Sequence, residues 1–245
     1  MKLWGKVRKL QDKYRPFCTA IVPAAGTSQR MGGENKLLMD LRGIPVLMRT
    51  LCAIDQAELV DEIIIATRED QLLEVADLCN RCGLHKPVRV ICGGSTRTES
   101  VLAAALEADP QAELLAVHDG ARPLVRPEDF DEMIRMGCKT YAVAPALPVS
   151  DTIKVADMSG LVQSTPERKS LYAVQTPQVF QANLLRAALQ SALACGAELT
   201  DDCGAVERLG KEVYLAPGNP ENIKITTPLD LTVAEGILRH REAQE

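Results

Sequence analysis

Short apolar runs alternating with stretches of helical periodicity constrain this chain's fold more than any other feature. The runs are Thr19 to Pro23, Glu62 to Thr67, Val88 to Cys92, Leu114 to His118 and Tyr141 to Pro145; helical patterns occupy Pro45 to Asp55, Gln71 to Arg81, Thr98 to Ala108 and Pro127 to Gly137. Runs such as EIIIAT and ELLAVHD are apolar almost throughout, which suits strands buried on both faces, and a strand–helix–strand repeat needs crossovers that lay its strands parallel. The sequence therefore predicts an α/β fold, a mainly parallel sheet with helices on both faces. The rhythm breaks at Asp151. From there to Gln178 polar and apolar residues alternate around the turn DMSG with no helical period, which reads as a β-arm at about 151–175 projecting from the domain. Helical patterns return at Gln181 to Cys195 and Asp202 to Leu209, followed by a short strand at Glu212 to Ala216 and a closing helix from about Pro228 to Arg241.

The chain has 245 residues, 46% of them hydrophobic, enough for one large core, so the expected organisation is a basic N-terminal extension over residues 1–16 and one domain over 17–245. A net charge of −5 and an aromatic content of 3% argue against a nucleic-acid partner. An anionic ligand would have to be met by a local cluster of cations. No run of 18 apolar residues is present to span a membrane, and MKLWGKVRKLQDKYRP lacks the apolar core of a secretory signal, so a cytoplasmic protein with no membrane partner is expected. That segment reads as a solvated tail, a helix packed on the domain, or a basic amphipathic helix on a membrane surface. The eight scattered cysteines read as small buried hydrophobes in a reducing compartment. CNRCGLH sets Cys79, Cys82 and His85 at C-x-x-C-x-x-H, but zinc would want a fourth ligand and no second pair follows at finger spacing; the alternative is a helix end capped by Gly83.

The loop VPAAGTSQRMGGENK follows the first strand, where open α/β sheets place their ligands. It matches neither the P-loop nor the dinucleotide fingerprint. Ala24, Ala25 and Gly26 allow close approach to the backbone, and Arg30 and Lys36 supply two cations, a combination that fits a nucleoside triphosphate. The other reading is a surface loop with two solvated cations.

PAAGTSQRM…NK, GGSTRTESV, HDGARPLV, VSDTIK, TPQVF, TDD and ENIKIT occur in the order seen in sugar-phosphate and polyol-phosphate nucleotidyltransferases. Over about Cys18 to Arg239 the chain most resembles the 2-C-methyl-D-erythritol 4-phosphate cytidylyltransferase family of the non-mevalonate isoprenoid pathway. The first motif is shared by many nucleotidyltransferases; the joint set, with the arm and the late NIK, is specific to the cytidylyltransferase branch. The resemblance implies a Rossmann-like nucleotidyltransferase sheet, transfer of CMP from CTP to a sugar or polyol phosphate with release of pyrophosphate, a Mg²⁺ ion, and a homodimer whose arms clasp across a two-fold axis. Attack of a phosphate monoester on the α-phosphorus gathers negative charge at one centre and needs no nucleophilic side chain.

By the same resemblance Arg30, Lys36 and Lys224 are catalytic and Asp119 is the metal-associated acid. Ala24, Ala25, Gly26, Gly94 and Ser100 bind the nucleotide. Thr152, Arg168, Thr176, Thr200 and Glu221 bind the sugar phosphate with Lys224, Arg168 serving the partner's site. Asp119 also reads as a strand-end or helix-capping residue, Ser100 as an ordinary first-turn serine, and Arg122 as either a site residue or a structural one. The chain departs from the family pattern in the shorter MGGEN segment, in Leu37 and Leu38, in Gly120 where alanine is frequent, and in Glu221 where aspartate is common. Two other functions fit in part: a ribitol-5-phosphate cytidylyltransferase, and a nucleotide-binding regulator without catalysis. A regulator would have no use for three cations and Asp119 together.

Overall fold

The computed structural model describes residues 15–26 and 35–244. The extension up to residue 14, with its three readings, and the loop residues 27–34, with Arg30, lie outside the described residues. The chain order of strands is β1 (Cys18–Pro23), β2 (Asp40–Leu41), β3 (Ile44–Pro45), β4 (Glu62–Thr67), β5 (Val88–Cys92), β6 (Leu114–Val117), β7 (Ala142–Pro148), β8 (Val155–Ala156), β9 (Val162–Ser164), β10 (Tyr172–Val174), β11 (Gln178–Gln181) and β12 (Tyr214–Pro217). The helices are α1 (Val46–Gln56), α2 (Leu72–Cys82), α3 (Arg97–Glu107), α4 (Pro127–Thr140), α5 (Ala182–Ala194), α6 (Cys203–Arg208) and α7 (Pro228–Glu242).

One half of the sheet follows the sequence pattern closely. Strands β6, β1, β4 and β5 lie side by side and parallel. Their apolar runs are continuous because both faces are covered. Ala20, Val22, Ile63, Ile65, Leu114 and Ala116 point to one face, where Leu47, Leu51 and Ile54 of α1, Val75 and Leu78 of α2 and Phe130 of α4 pack on them. The alternate residues Ile21, Ile64, Ala66, Leu115 and Val117 meet Val101, Ala104 and Ala105 of α3 and Leu185 and Leu189 of α5 on the other. Each such fully buried aliphatic side chain contributes roughly 1.5–3 kcal/mol of transfer free energy. Polar groups fix the helix starts: Thr96 and Glu99 form a reciprocal capping box on α3, and Pro127 opens α4.

Two elements are not predicted by the pattern, one in the other half of the sheet and one outside it. TPQVF contributes β11, an antiparallel strand inserted between β6 and β7. Val174 and Val179 pair with Ala146 and Val143, five residues apart on one strand against three on the other. Strands β10 and β11 are thus one antiparallel run along β7 with two residues looped out, and the Thr176–Pro177 bond within it is cis. On the opposite side of β7 runs β12, parallel. The second unpredicted element is the small hairpin of β2 and β3, turned by Arg42 and Gly43, both at positive φ (56° and 79°), which positions the start of α1.

The arm is present as a hairpin of β8 and β9 around Asp157–Gly160, where the Asp157 carboxylate accepts from the Ser159 and Leu161 amides. Every residue from 151 to 165 is exposed. Among the described residues no helix is long and apolar enough to cross a membrane.

The C-x-x-C-x-x-H segment follows the capping alternative. Gly83 ends α2 in the left-handed conformation (φ 60°, ψ 38°), and the exposed His85 ring bonds Asp55 at 2.9 Å. No group of three or more His, Cys, Asp and Glu among the described residues is placed to hold a metal. Burial pushes the Cys79 thiol up to about 11 and the Cys82 thiol up to about 12. Their thiolates are then scarce at neutral pH, so at pH 8 iodoacetamide should label exposed Cys195 and leave Cys79 and Cys82 at least about 10²-fold slower. Mass-spectrometric mapping of the labels checks this; equal rates would mean that the end of α2 opens freely.

Candidate active site

The carboxyl ends of β1 and β6, with the loop after β5 and the segment that carries Lys224, surround a cleft of about 300 Å³. Ala24, Ala25 and Gly26 form one wall, Gly94 and Ser100 another, and Lys36, Asp119 and Lys224 stand at its edge, so eight of the residues singled out in the sequence come together there. Among the described residues a Cβ at Gly26 would meet nothing within 4 Å. Gly94 is different: a Cβ would fall 2.2 Å from the Glu99 Cβ, so only glycine brings the loop this close to α3. Ser100 holds that loop in shape, its hydroxyl donating to the Thr96 carbonyl (2.8 Å) and accepting from the Gly94 amide (3.1 Å). Gly120 lies against Leu47 and Val22, where a Cβ would sit 3.2 and 3.3 Å from their side-chain ends.

A second cleft, also about 300 Å³, is lined by Arg122, Thr176, Gln178, Thr200 and Asp201. It shares Arg97, Asp119 and Lys224 with the first. The two clefts therefore meet at one carboxylate flanked by cations. Lys224 Nζ lies 2.9 Å from Asp119, Arg122 Nε 3.4 Å and an Arg97 guanidinium nitrogen 3.7 Å. Burial alone would raise the Asp119 pKa, but these three cations, Lys224 foremost, outweigh it and hold the carboxyl well below the usual range. Lys36 Nζ donates to the Ile225 carbonyl at 3.0 Å, tying the first loop to the segment that carries Lys224.

Asp119 is oriented from behind. Its amide donates to Thr176 Oγ1 (3.1 Å), and that hydroxyl lies 3.0 Å from His118 Nδ1. His118 is fully buried, with Nε2 3.3 Å from the Arg122 carbonyl; burial lowers its pKa to about 4, so the ring is neutral, with Nε2–H donating and Nδ1 accepting from Thr176. Thr176 thus lines the second cleft with its hydroxyl already engaged. Arg122 combines both of its readings: it lines the second cleft and also donates to the Asn222 carbonyl (2.8 Å).

Three of the sequence-derived residues stand apart. Glu221 lines neither cleft; its carboxylate binds Arg126 (2.7 Å) and Arg241 (2.9 Å), joining the segment before α7 to α4 and α7. Thr152 and Arg168 lie at the root of the arm, exposed, with Arg168 donating to the Ser150 carbonyl (2.9 Å). Two residues were not singled out: Arg97 at the seam, and behind it Asp202, whose carboxylate pairs with it at 2.7 Å. A signal for Arg97 exists in GGSTRTES. It places a cation on the first residue of a capped helix, where the helix dipole disfavours positive charge unless an anion is near.

A family model described as 2-C-methyl-D-erythritol 4-phosphate cytidylyltransferase matches residues 18–240. A protein of that name from Thermosynechococcus vestitus is 44% identical over 228 residues, covering 92% of this chain and 97% of its own length. Another, from Caldanaerobacter subterraneus subsp. tengcongensis, is 41% identical over 90% of this chain and 98% of its own. Among solved structures, 4-diphosphocytidyl-2C-methyl-D-erythritol synthase from Anaerococcus prevotii superposes with a TM-score of 0.82 at 32% identity, covering 92% of this chain and all of that one. The 2-C-methyl-D-erythritol 4-phosphate cytidylyltransferase from Thermus thermophilus gives 0.73 at 30% identity, covering 91% and 99%.

Proposed function

The chain belongs to the 2-C-methyl-D-erythritol 4-phosphate cytidylyltransferase family, and from that premise we propose that it transfers CMP from CTP to 2-C-methyl-D-erythritol 4-phosphate, releasing pyrophosphate. The observation that carries this reading is the meeting of two clefts at Arg97, Asp119 and Lys224. Nucleotide in the first and sugar phosphate in the second would bring an acceptor oxygen to the α-phosphorus. A phosphate monoester is largely dianionic at neutral pH, so its oxygen attacks without a side-chain base. The bond from the α-phosphorus to the bridging oxygen breaks, and pyrophosphate departs with that electron pair. Lys36 and Lys224 neutralise charge that grows on the phosphoryl oxygens, and Arg97 and Arg122 receive the acceptor phosphate.

The donor set fits a Mg²⁺ ion that arrives with its nucleotide. A single carboxylate is what such an ion takes from protein when phosphates supply other oxygens, and Asp119, which lines both clefts, would hold it, adding charge neutralisation on the triphosphate. We also propose a homodimer. The arm exposes Ile153, Val155, Met158, Leu161 and Val162, and a two-stranded hairpin standing alone is marginal in water, so a second copy is expected to cover it. Neither cleft of one chain includes Thr152 or Arg168, which suits their service to the partner's site.

Pyrophosphate release with CTP and 2-C-methyl-D-erythritol 4-phosphate tests the reading. Turnover is expected with that acceptor and not with ribitol 5-phosphate; the reverse would overturn the substrate assignment. Small residues and backbone groups shape the base wall, and none of the described lining residues is aromatic, so CTP should be strongly preferred over GTP. Equal kcat/KM for GTP would remove these residues from the base pocket.

A further inference from the structure

We propose that buried Asp202 is a positioning residue for the reaction, acting through Arg97: it anchors one side of the guanidinium so that the other is held at the seam of the two clefts beside Asp119. This rests on the reading of those clefts as nucleotide and acceptor sites. Asp202 is 1% exposed and touches neither cleft, so it has no direct route to a substrate. Its place is set by the core. Gln178, on strand β11 and itself 1% exposed, accepts from the Asp202 and Cys203 amides through Oε1 (3.1 and 3.3 Å) and donates to the Asp201 carboxylate through Nε2 (2.9 Å). A buried glutamine thus holds the TDD loop at three points. From that loop the Asp202 carboxylate reaches Arg97 at 2.7 Å, and Arg97 reaches Asp119 at 3.7 Å.

The geometry assigns different duties to the cations at the seam. Among the described residues Lys224 and Arg122 touch Asp119 with no second carboxylate in contact, whereas Arg97 lies between two. A flexible arginine on the first turn of α3 would lose rotamer freedom when it meets phosphate; one already fixed by Asp202 brings its charge to the reaction centre preorganised. The pair is costly to bury, which a fold does not need for stability at a helix start that its capping box already secures.

A double-mutant cycle with R97A, D202N and R97A/D202N tests this. R97A should lower kcat by roughly 10²-fold, the scale of one lost preorganised donor. D202N, nearly isosteric, should lower kcat by roughly tenfold with KM for CTP within about twofold, and should cost less than about twofold when Arg97 is already alanine. An equal penalty for D202N in both backgrounds, or a loss that tracks only the folded fraction seen by thermal melting, would overturn the proposal. A crystal structure of D202N alone provides a readout free of substrate: Arg97 is expected to leave Asp119, and its retention in place would also overturn the proposal. If the wild type released no pyrophosphate with any acceptor, the functional reading would fall, while the D202N structure would still decide whether Asp202 fixes Arg97.

Discussion

Lys36→Ala and Lys224→Ala should each lower kcat by roughly 10²-fold or more, a loss far larger than any accompanying change in the folded fraction. The argument rests on where each ammonium sits. Lys224 lies 2.9 Å from Asp119 with 40% of its side chain exposed, and Asp119 keeps Arg97 and Arg122 when Lys224 is removed. Lys224 is part-exposed but its partner acid is buried and keeps two other cations, so alanine should cost about 1–3 kcal/mol in folding, which leaves most of the protein folded. In the transition state the balance differs. Five oxygens around phosphorus carry charge that water would otherwise stabilise, and one missing preorganised cation costs roughly 10²–10³ in turnover. Lys36 approaches from the loop after β1 and donates to the carbonyl of Ile225, the residue after Lys224. Steady-state kinetics beside melting curves separate the two roles. Normal turnover of the folded fraction would make both lysines structural.

The parallel half of the sheet was legible because burial on two faces leaves a direct mark: EIIIAT has no polar interruption until its ends, and β4 spans those same six residues. Helix α2 was legible from its period and from Gly83, whose left-handed conformation ends it. Strand β11 was not. It is four residues long, begins and ends in glutamine, and runs antiparallel where the preceding rhythm implies parallel neighbours. Its Gln178 is buried only because the TDD loop folds back to satisfy both ends of the amide, a contact with no sequence periodicity. The hairpin of β2 and β3, two residues per strand, is too short for any period to appear.

The candidate site divides along the same line. Ala24 and Gly26 could be placed because an open sheet puts its ligands at the carboxyl ends of its strands, whereas Asp119 was placed by the family resemblance. Residues whose role depends on a partner brought from far along the chain could not. Arg97 matters at the seam because Asp202, more than a hundred residues later, faces it. Glu221 illustrates the converse. Its place before the late NIK suggested substrate contact, yet Arg126 and Arg241 occupy its carboxylate, and two arginines converging on one acid serve to dock the chain end.

Mixing two inactive variants should restore activity if the arm completes the neighbouring site. Arg168 sits at the root of an arm whose hairpin is exposed at every residue, and the clefts of that chain do not include it. A Lys36→Ala subunit lacks a good triphosphate site but still offers its partner Arg168. An Arg168→Ala subunit has a good triphosphate site but offers its partner nothing. Each homodimer alone should be nearly inactive, because both of its sites lack one component. After subunit exchange at equal amounts, about half of the dimers are hybrids, and each hybrid holds one intact site of its two by two-fold symmetry. Activity should therefore recover to about a quarter of the wild-type value. Exchange itself is checked by mass spectrometry of differently tagged subunits. Hybrids that form without regaining activity would mean that Arg168 acts within its own subunit or takes no part, and a monomer by sedimentation would remove the arm from the site altogether.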